Sequence, residues 1–335
     1  MSTLRTLANR FSCDPQPLEQ VAKRYPFRLS DYYASLIQYE GDPIWLQAIP
    51  SPDELSDTIQ QPDPLDEERL SPVPGLIHRY PDRVVLLTTN CCAVYCRFCM
   101  RKRFVGQSEQ IPCSLDSIRE YLQSHTEIRD LLLSGGDPLL LPLERLGSIL
   151  EMVRSIPHIE IIRIGSRLPV TDPERITPEL CRLLSQYHPL FLNTHFNHSL
   201  ELTPDAAGAC QRLLERGVVL GNQTVLLKGV NDTAQDIEQL NRGLLTMRVR
   251  PYYLHQMDLV QGTRHFRTPL SSGLTIIDQL RGRLSGLGIP HFMLDLPGGK
   301  GKLALQRGVG RQEGSEWVFT NWEGEEVRYP DLPHE

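Results

Sequence analysis

The chain has 335 residues, 40% of them hydrophobic and 23% charged, with a net charge of −6. That balance is ordinary for a globular protein and gives no electrostatic footprint for nucleic acid or an anionic membrane. No apolar run approaches membrane-spanning length and the N-terminus lacks the apolar core of a signal peptide. The eight cysteines, three in a metal spacing, suit a reducing cytoplasm better than a disulfide framework.

Residues 1–80 read as a helical, loop-rich N-terminal region, cut into short pieces by Pro15, Pro17, Pro26, Pro43, Pro50, Pro52, Pro62 and Pro64. Leu29 to Ile37 can form a single helix. The acidic stretch Gln60 to Glu68 reads as a solvated connection.

From residue 81 the pattern changes. Apolar runs of strand length alternate with amphipathic helical patterns, which argues for βα units and a parallel sheet. The strand candidates are Val84–Thr89, Asp130–Ser134, Ile159–Gly165, Leu190–Thr194, Val218–Gln223, Pro251–His255 and Pro290–Asp295. Helices are expected from Ser117, where Glu120 completes a capping-box pattern, and from Thr177-Pro178 and Thr203-Pro204, with Gly217 as a stop. Another spans Leu274 to Leu284. One α/β barrel absorbs this length, and six repeats fit a partial or full barrel. This central domain runs over residues 81–302. Residues 303–335 form a short tail that reads as a hairpin around Asn321 to Gly324.

Polar or glycine-rich clusters follow the strands directly: Cys92 to Cys99, Ser134-Gly-Gly-Asp137, Gly165-Ser-Arg167, Asn193 to His198, Asn222-Gln223 and His255 to Asp258. In a parallel barrel such strand ends converge on one face, and that face carries the active site. Any one cluster is compatible with an ordinary loop.

Cys92, Cys96 and Cys99 stand in a Cys-x3-Cys-x2-Cys spacing. Three thiolates can hold three irons of a cubane cluster and leave the fourth open for chemistry. Two plainer readings exist. One is a buried thiol cluster that includes Cys91. The other is a closed metal site with Cys113 as fourth ligand. Near the end, Asp295-Leu-Pro-Gly-Gly-Lys-Gly-Lys302 is a glycine-rich loop whose lysines could hold a phosphate or form an imine. Its plain reading is a flexible basic turn. A Walker loop is disfavoured, because no Ser or Thr follows the lysine.

The cysteine spacing resembles the signature of radical S-adenosylmethionine (SAM) enzymes. The wider set resembles the lysine 2,3-aminomutase family within them. That set is Gly75 to Arg83, Arg101 to Gly106, Ser134 to Pro138, Ile162 to Arg167, Asn193 to His198, Gly221 to Gln223, Tyr252-Tyr253, Asp258, His265 to Pro269 and Lys302. The resemblance implies a partial six-unit βα barrel, α/β in class, carrying a 4Fe–4S cluster, SAM and pyridoxal 5′-phosphate.

It implies that Cys92, Cys96 and Cys99 ligate the cluster and that Phe98 packs near the adenine. Ser134, Gly135, Gly136 and Asp137 would form the segment that meets the methionine amino group. His195 and Gln223 would lie near the nucleoside. Lys302, rather than Lys300, would form the imine with pyridoxal phosphate, and Arg79 and Arg83 would bind its phosphate, a task suited to planar guanidinium groups. Arg101 would pair with the substrate carboxylate, and Asp258 and Asp295 would receive a distal ammonium. The implied reaction moves the α-amino group of L-lysine to Cβ and gives β-lysine, with a reductant such as flavodoxin or ferredoxin.

Longer family members carry a cysteine-bearing C-terminal extension that binds zinc between subunits. This chain has no Cys after Cys210, and Thr233 stands where those members place a zinc cysteine. A structural zinc is therefore not expected, while a homo-oligomer stays open. The short form looks more like relatives that supply β-lysine for modifying elongation factor P. Two alternatives stand beside this reading: an aminomutase for arginine or another amino acid, and a non-catalytic iron–sulfur or pyridoxal-binding regulatory protein.

Overall fold

The computed structural model describes residues 1–107, 114–308, 310–314, 316–320 and 324–330. The N-terminal region forms five short helices: α1 (Leu4–Phe11), α2 (Pro15–Arg24), α3 (Asp31–Ser35), α4 (Pro43–Ala48) and α5 (Asp53–Ser56). Thr3, Asp14, Ser30 and Asp42 cap the first four, each accepting a backbone N–H of the first turn. Pro15 and Pro43 start helices rather than only breaking them, because the first helical position needs no N–H. Tyr33, Ile37, Ile44, Trp45 and Ile49 join the same apolar core as the barrel strands.

One sequence expectation fails here. The stretch Gln60 to Glu68 is not a solvated connection: Gln60, Leu65 and Glu67 are buried. Gln61 bridges to Val260, and Pro64 accepts the N–H of Gly298 at 2.7 Å. Its acidic composition reads as solvent-facing, but Glu67 has an internal cation to meet.

The central sheet has nine strands in chain order. They are β1 (Leu76–Tyr80), β2 (Arg83–Thr89), β3 (Asp130–Gly135), β4 (Ile161–Gly165), β5 (Leu190–Thr194), β6 (Val219–Leu226), β7 (Arg250–Gln256), β8 (His291–Asp295) and β9 (Lys302–Ala304). Strands β2 to β8 pair in parallel, and β1 and β9 add antiparallel edges. The sheet curls into a partial barrel. Alternate residues such as Ile162, Ile164, Leu190 and Leu192 are buried beneath the helices. Their neighbours Arg163, Asn193, Gln223, Tyr253 and His255 keep partial exposure on the inner face.

The outer layer holds α6 (Leu115–Ser124), α7 (Leu143–Arg154), α8 (Leu168–Thr171), α9 (Pro178–Ser185), α10 (Pro204–Leu214), α11 (Ala234–Thr246) and α12 (Leu270–Leu280). Thr177 and Thr203 cap α9 and α10, and Gly217 follows with φ +78°, as their sequences predict. Two helices differ in their bounds. Helix α6 starts at Leu115 with Ser114 as cap, not at Ser117, and α12 spans Leu270–Leu280 rather than Leu274 to Leu284. The tail forms a three-stranded antiparallel sheet, β10 (Gly310–Glu313), β11 (Glu316–Thr320) and β12 (Glu326–Pro330). Residues 321–323 of the predicted turn lie outside the described residues. Among the described residues no helix is long and apolar enough to cross a membrane.

Candidate active site

The cysteine loop leaves the carboxyl end of β2 and is braced by the loop that leaves β3. Gly136 N–H donates to Thr89 O at 2.5 Å and Asp137 N–H to Cys91 O at 2.8 Å. Both glycines are required by this approach. A Cβ on Gly135, whose φ is +117°, would lie 2.4 Å from Thr89 O, and one on Gly136 would lie 2.3 Å from Cys91 O. The Asp137 carboxylate is occupied by the scaffold, accepting from Ser166 Oγ at 2.7 Å, Arg167 N at 2.8 Å and Leu139 N at 3.1 Å. Burial raises its pKa against those bonds. Ser134 Oγ, by contrast, meets a guanidinium of the inner face.

The three thiols are close enough to sense one another. Burial, followed by the charges of Asp137, Cys99 and Cys96, pushes Cys92 well above the ordinary thiol value. Burial and Cys96 push Cys99 up to about 11. Ionising Cys92 and Cys99 therefore calls for a compensating cation, which bound iron would supply. No three His, Cys, Asp or Glu side chains among the described residues close around a single ion; a cubane instead places each thiolate on its own iron. Cys113, the candidate fourth ligand, lies outside the described residues.

Beside this loop, the Phe98 ring meets His195 at 5.5 Å and Phe266 at 6.3 Å, edge to face. His195 Nε2 is buried without a partner. Burial, then the Arg167 charge, holds this imidazole neutral, well below its usual pKa. An aromatic nook with one free ring nitrogen fits a nucleoside.

The second half of the site is the inner face of β7, β8 and β9. Lys302 Nζ is ion-paired with Asp295, whose other oxygen receives Arg79 Nη1 at 3.3 Å. Asp295 thus already carries an ammonium, that of Lys302. His255 Nδ1 lies 3.8 Å from the same carboxylate. Burial, then the negative charge of Asp295, raises Asp258 to about 7. The Lys302 backbone N–H donates to Tyr80 Oη at 2.7 Å, which ties β9 to β1 across the opening. Gly298, Gly299 and Gly301 all have positive φ, between +69° and +95°, so the loop turns as only glycine does without strain. Lys300 between them is exposed.

Arg79 Nε is buried without a partner, an unmet donor that fits a phosphate oxygen. Arg83 sits at the start of β2, bonded to Asp82 at 2.7 Å and stacked over Tyr80 at 3.9 Å. Gln223 lies on the inner face of β6 beside Tyr253. Arg101 is gripped along one edge by Glu67, Nη2 to Oε1 at 2.8 Å and Nε to Oε2 at 3.0 Å, while Nη1 reaches Ser134 Oγ at 3.0 Å.

Sequence reasoning missed Glu67, Tyr80, Arg167 and His255 as site residues. Arg167 and His255 were visible as members of strand-end clusters. Tyr80 stood inside the Gly75 to Arg83 segment that carries the family resemblance. Glu67 gave no local signal at all.

A parallel partial barrel with a three-cysteine loop at its first strand end is the architecture of a radical SAM enzyme. The profile described as "Radical SAM superfamily" matches residues 86–241. The chain is 50% identical to the L-lysine 2,3-aminomutase of Fusobacterium nucleatum, over 90% of this chain and 73% of that protein. It is 45% identical to the L-lysine 2,3-aminomutase of Bacillus subtilis, over 99% of this chain and 72% of that one. It is 40% identical to the glutamate 2,3-aminomutase of Clostridioides difficile, over 99% of this chain and 80% of that protein. The chain belongs to the lysine 2,3-aminomutase family of radical SAM enzymes, which are isomerases. The family's cofactors are a 4Fe–4S cluster, SAM and pyridoxal phosphate, and the donors described above fit all three.

Proposed function

We propose that the chain is an L-lysine 2,3-aminomutase that converts L-lysine to β-lysine. The observation that carries this reading is the acidic pair Asp258 and Asp295, with a primary ammonium, that of Lys302, already on one of them. Identity alone does not choose the substrate, since a glutamate enzyme matches at 40%. Charge does. The distal carboxylate of glutamate would meet two buried acids, whereas an ammonium relieves their repulsion.

In this reading Cys92, Cys96 and Cys99 hold the cluster. Phe98, His195 and Gln223 meet the nucleoside of SAM, and the Ser134 to Asp137 loop lies at its methionine end. Lys302 anchors pyridoxal phosphate, with Arg79 and Arg83 at the phosphate. Arg101 offers its Nη1 side to the substrate α-carboxylate. With Lys302 turned to the cofactor, Asp295 Oδ2 would be open to the substrate ammonium while Arg79 keeps Oδ1. The bound cofactors supply the radical and its delocalisation. The half-barrel holds the reacting carbons in place and keeps water away.

Supply of the electron by a flavodoxin- or ferredoxin-class protein in a reducing cytoplasm completes the proposal. The test is anaerobic turnover of isotopically labelled L-lysine, L-arginine and L-glutamate by the reconstituted enzyme. Labelled β-lysine from lysine alone is expected. Rearrangement of arginine or glutamate in preference to lysine would overturn the assignment.

A further inference from the structure

At the carboxyl end of β4, Arg167 is 8% exposed and has a partner on every nitrogen. Its Nε donates to His195 O at 3.0 Å. Its Nη2 meets Gln47 Oε1 at 2.6 Å, Glu201 Oε1 at 2.7 Å and Tyr33 Oη at 3.1 Å. The anchors are themselves fixed. Glu201 accepts Asn197 N at 2.6 Å, His198 N at 3.0 Å and Tyr33 Oη at 2.5 Å. Gln47 Oε1 also accepts Asn197 Nδ2 at 2.9 Å, and its Nε2 donates to Pro43 O at 3.0 Å. The rings of Tyr33 and Phe98 flank the guanidinium at 5.3 and 5.2 Å. One nitrogen remains. Nη1 is delivered to Cys96 Sγ at 2.8 Å. Among the described residues no side chain makes such a bond to Cys92 or Cys99.

We propose that Arg167 is a positioning residue for the iron–sulfur cluster: its charged hydrogen bond to the Cys96 thiolate marks out one corner of the cluster and raises the reduction potential of the whole. This role rests on Cys92, Cys96 and Cys99 holding the cluster, as proposed above. Hydrogen bonds to ligand sulfurs and nearby charge set cluster potentials. A fixed cation stabilises the more negative, reduced state. The bond is preorganised, because Glu201 and Gln47 hold the guanidinium whatever the oxidation state. It also gives the N-terminal helices a task. Tyr33 of α3 and Gln47 of α4 reach past the barrel wall to steady a donor that points at the cluster.

The test uses the full chain, reconstituted anaerobically without SAM or substrate, and reads the cluster by redox titration followed by electron paramagnetic resonance. Arg167→Lys keeps the charge but has one head that cannot span Glu201 and Cys96. Its midpoint potential is expected to fall by roughly a tenfold shift in the reduction equilibrium, about 59 mV for one electron, at unchanged iron content. The double variant Arg167→Gln/Glu201→Gln leaves no stranded buried charge and is expected to shift the potential in the same direction.

A second readout needs no variant. Pulsed resonance on reduced protein labelled with 15N only at the arginine guanidino nitrogens should show a nitrogen coupled to the cluster. Unchanged potentials in loaded variants, or no coupled nitrogen in the unaltered protein, would overturn the proposal. Failure of lysine turnover with a loaded cluster would instead count against the substrate assignment and leave this one standing.

Discussion

Replacing Asp258 by Asn separates the two things that this residue does. Its carboxyl sits at about 7, raised by burial and by Asp295. Displacement from an ordinary value near 4 corresponds to about 4 kcal/mol against the ionised form. The sign follows from proton binding. Between pH 4 and 7 the folded protein holds a proton that the unfolded chain has released, so stability falls as pH rises through this window. Asn carries no such penalty. The apo variant should match the wild type near pH 4 and exceed it at pH 8, by at most about 4 kcal/mol in urea unfolding. Lysine binding should move the other way. A charge-assisted contact contributes roughly 1.5–3 kcal/mol, so the lysine KM should rise about 10- to 150-fold. If Asp258→Asn were no more stable than the wild type at pH 8, or if the gap were equally wide at pH 4, Asp258 would not be a strained acid held for a ligand.

Three further outcomes are expected. Lys302→Ala should abolish the visible absorbance band of protein-bound pyridoxal phosphate while Lys300→Ala retains it; a band lost with Lys300 instead would reverse the assignment of the loop. Glu67→Gln keeps the shape around Arg101 but removes the charge that fixes its edge, so the lysine KM should rise about tenfold by the value of one charged hydrogen bond, with SAM affinity unchanged in equilibrium binding. Gly136→Ala drives a methyl group against the Cys91 carbonyl, 2.3 Å from where Cβ would stand, so iron content after reconstitution should drop sharply, and full loading would show that the loop yields.

The barrel was legible because its inner strands repeat one device. Runs such as Leu131–Leu133, Ile162–Ile164 and Leu190–Leu192 bury one face under helices, and turn chemistry marks where each ends. The edges were not. Strand β1 is interrupted by His78 and Arg79, and β9 is three residues long; both exist because partners pair with them. The cysteines were visible because thiolate ligation admits few residue types, whereas Lys302 stood out from Lys300 only through the family resemblance. Glu67 was invisible for the opposite reason. An acidic run is usually solvated, and only the folded chain reveals that one member faces Arg101. Ser114 escaped notice because Ser117 with Glu120 makes an equally good local cap, and the choice is decided by Ile118 and Leu122 reaching the core.

Selectivity in this site follows from charges that are already matched before substrate arrives. Arg101 has one edge closed by Glu67, and its Nη1 meets only the Ser134 hydroxyl, the side it can turn to a ligand. Asp295 is held by Lys302 and Arg79, with Asp258 beside it in want of a cation. Turning Lys302 toward the cofactor would take its ammonium off Asp295, leaving two carboxylates facing a single guanidinium. A substrate that brings a distal ammonium restores the balance. One that brings a carboxylate worsens it, and a neutral chain leaves two acids sharing one guanidinium. The loop that presents Lys302 therefore also bears on which amino acid is accepted, because the Asp295 oxygen that pairs with Nζ is the one that would receive a substrate ammonium in its place.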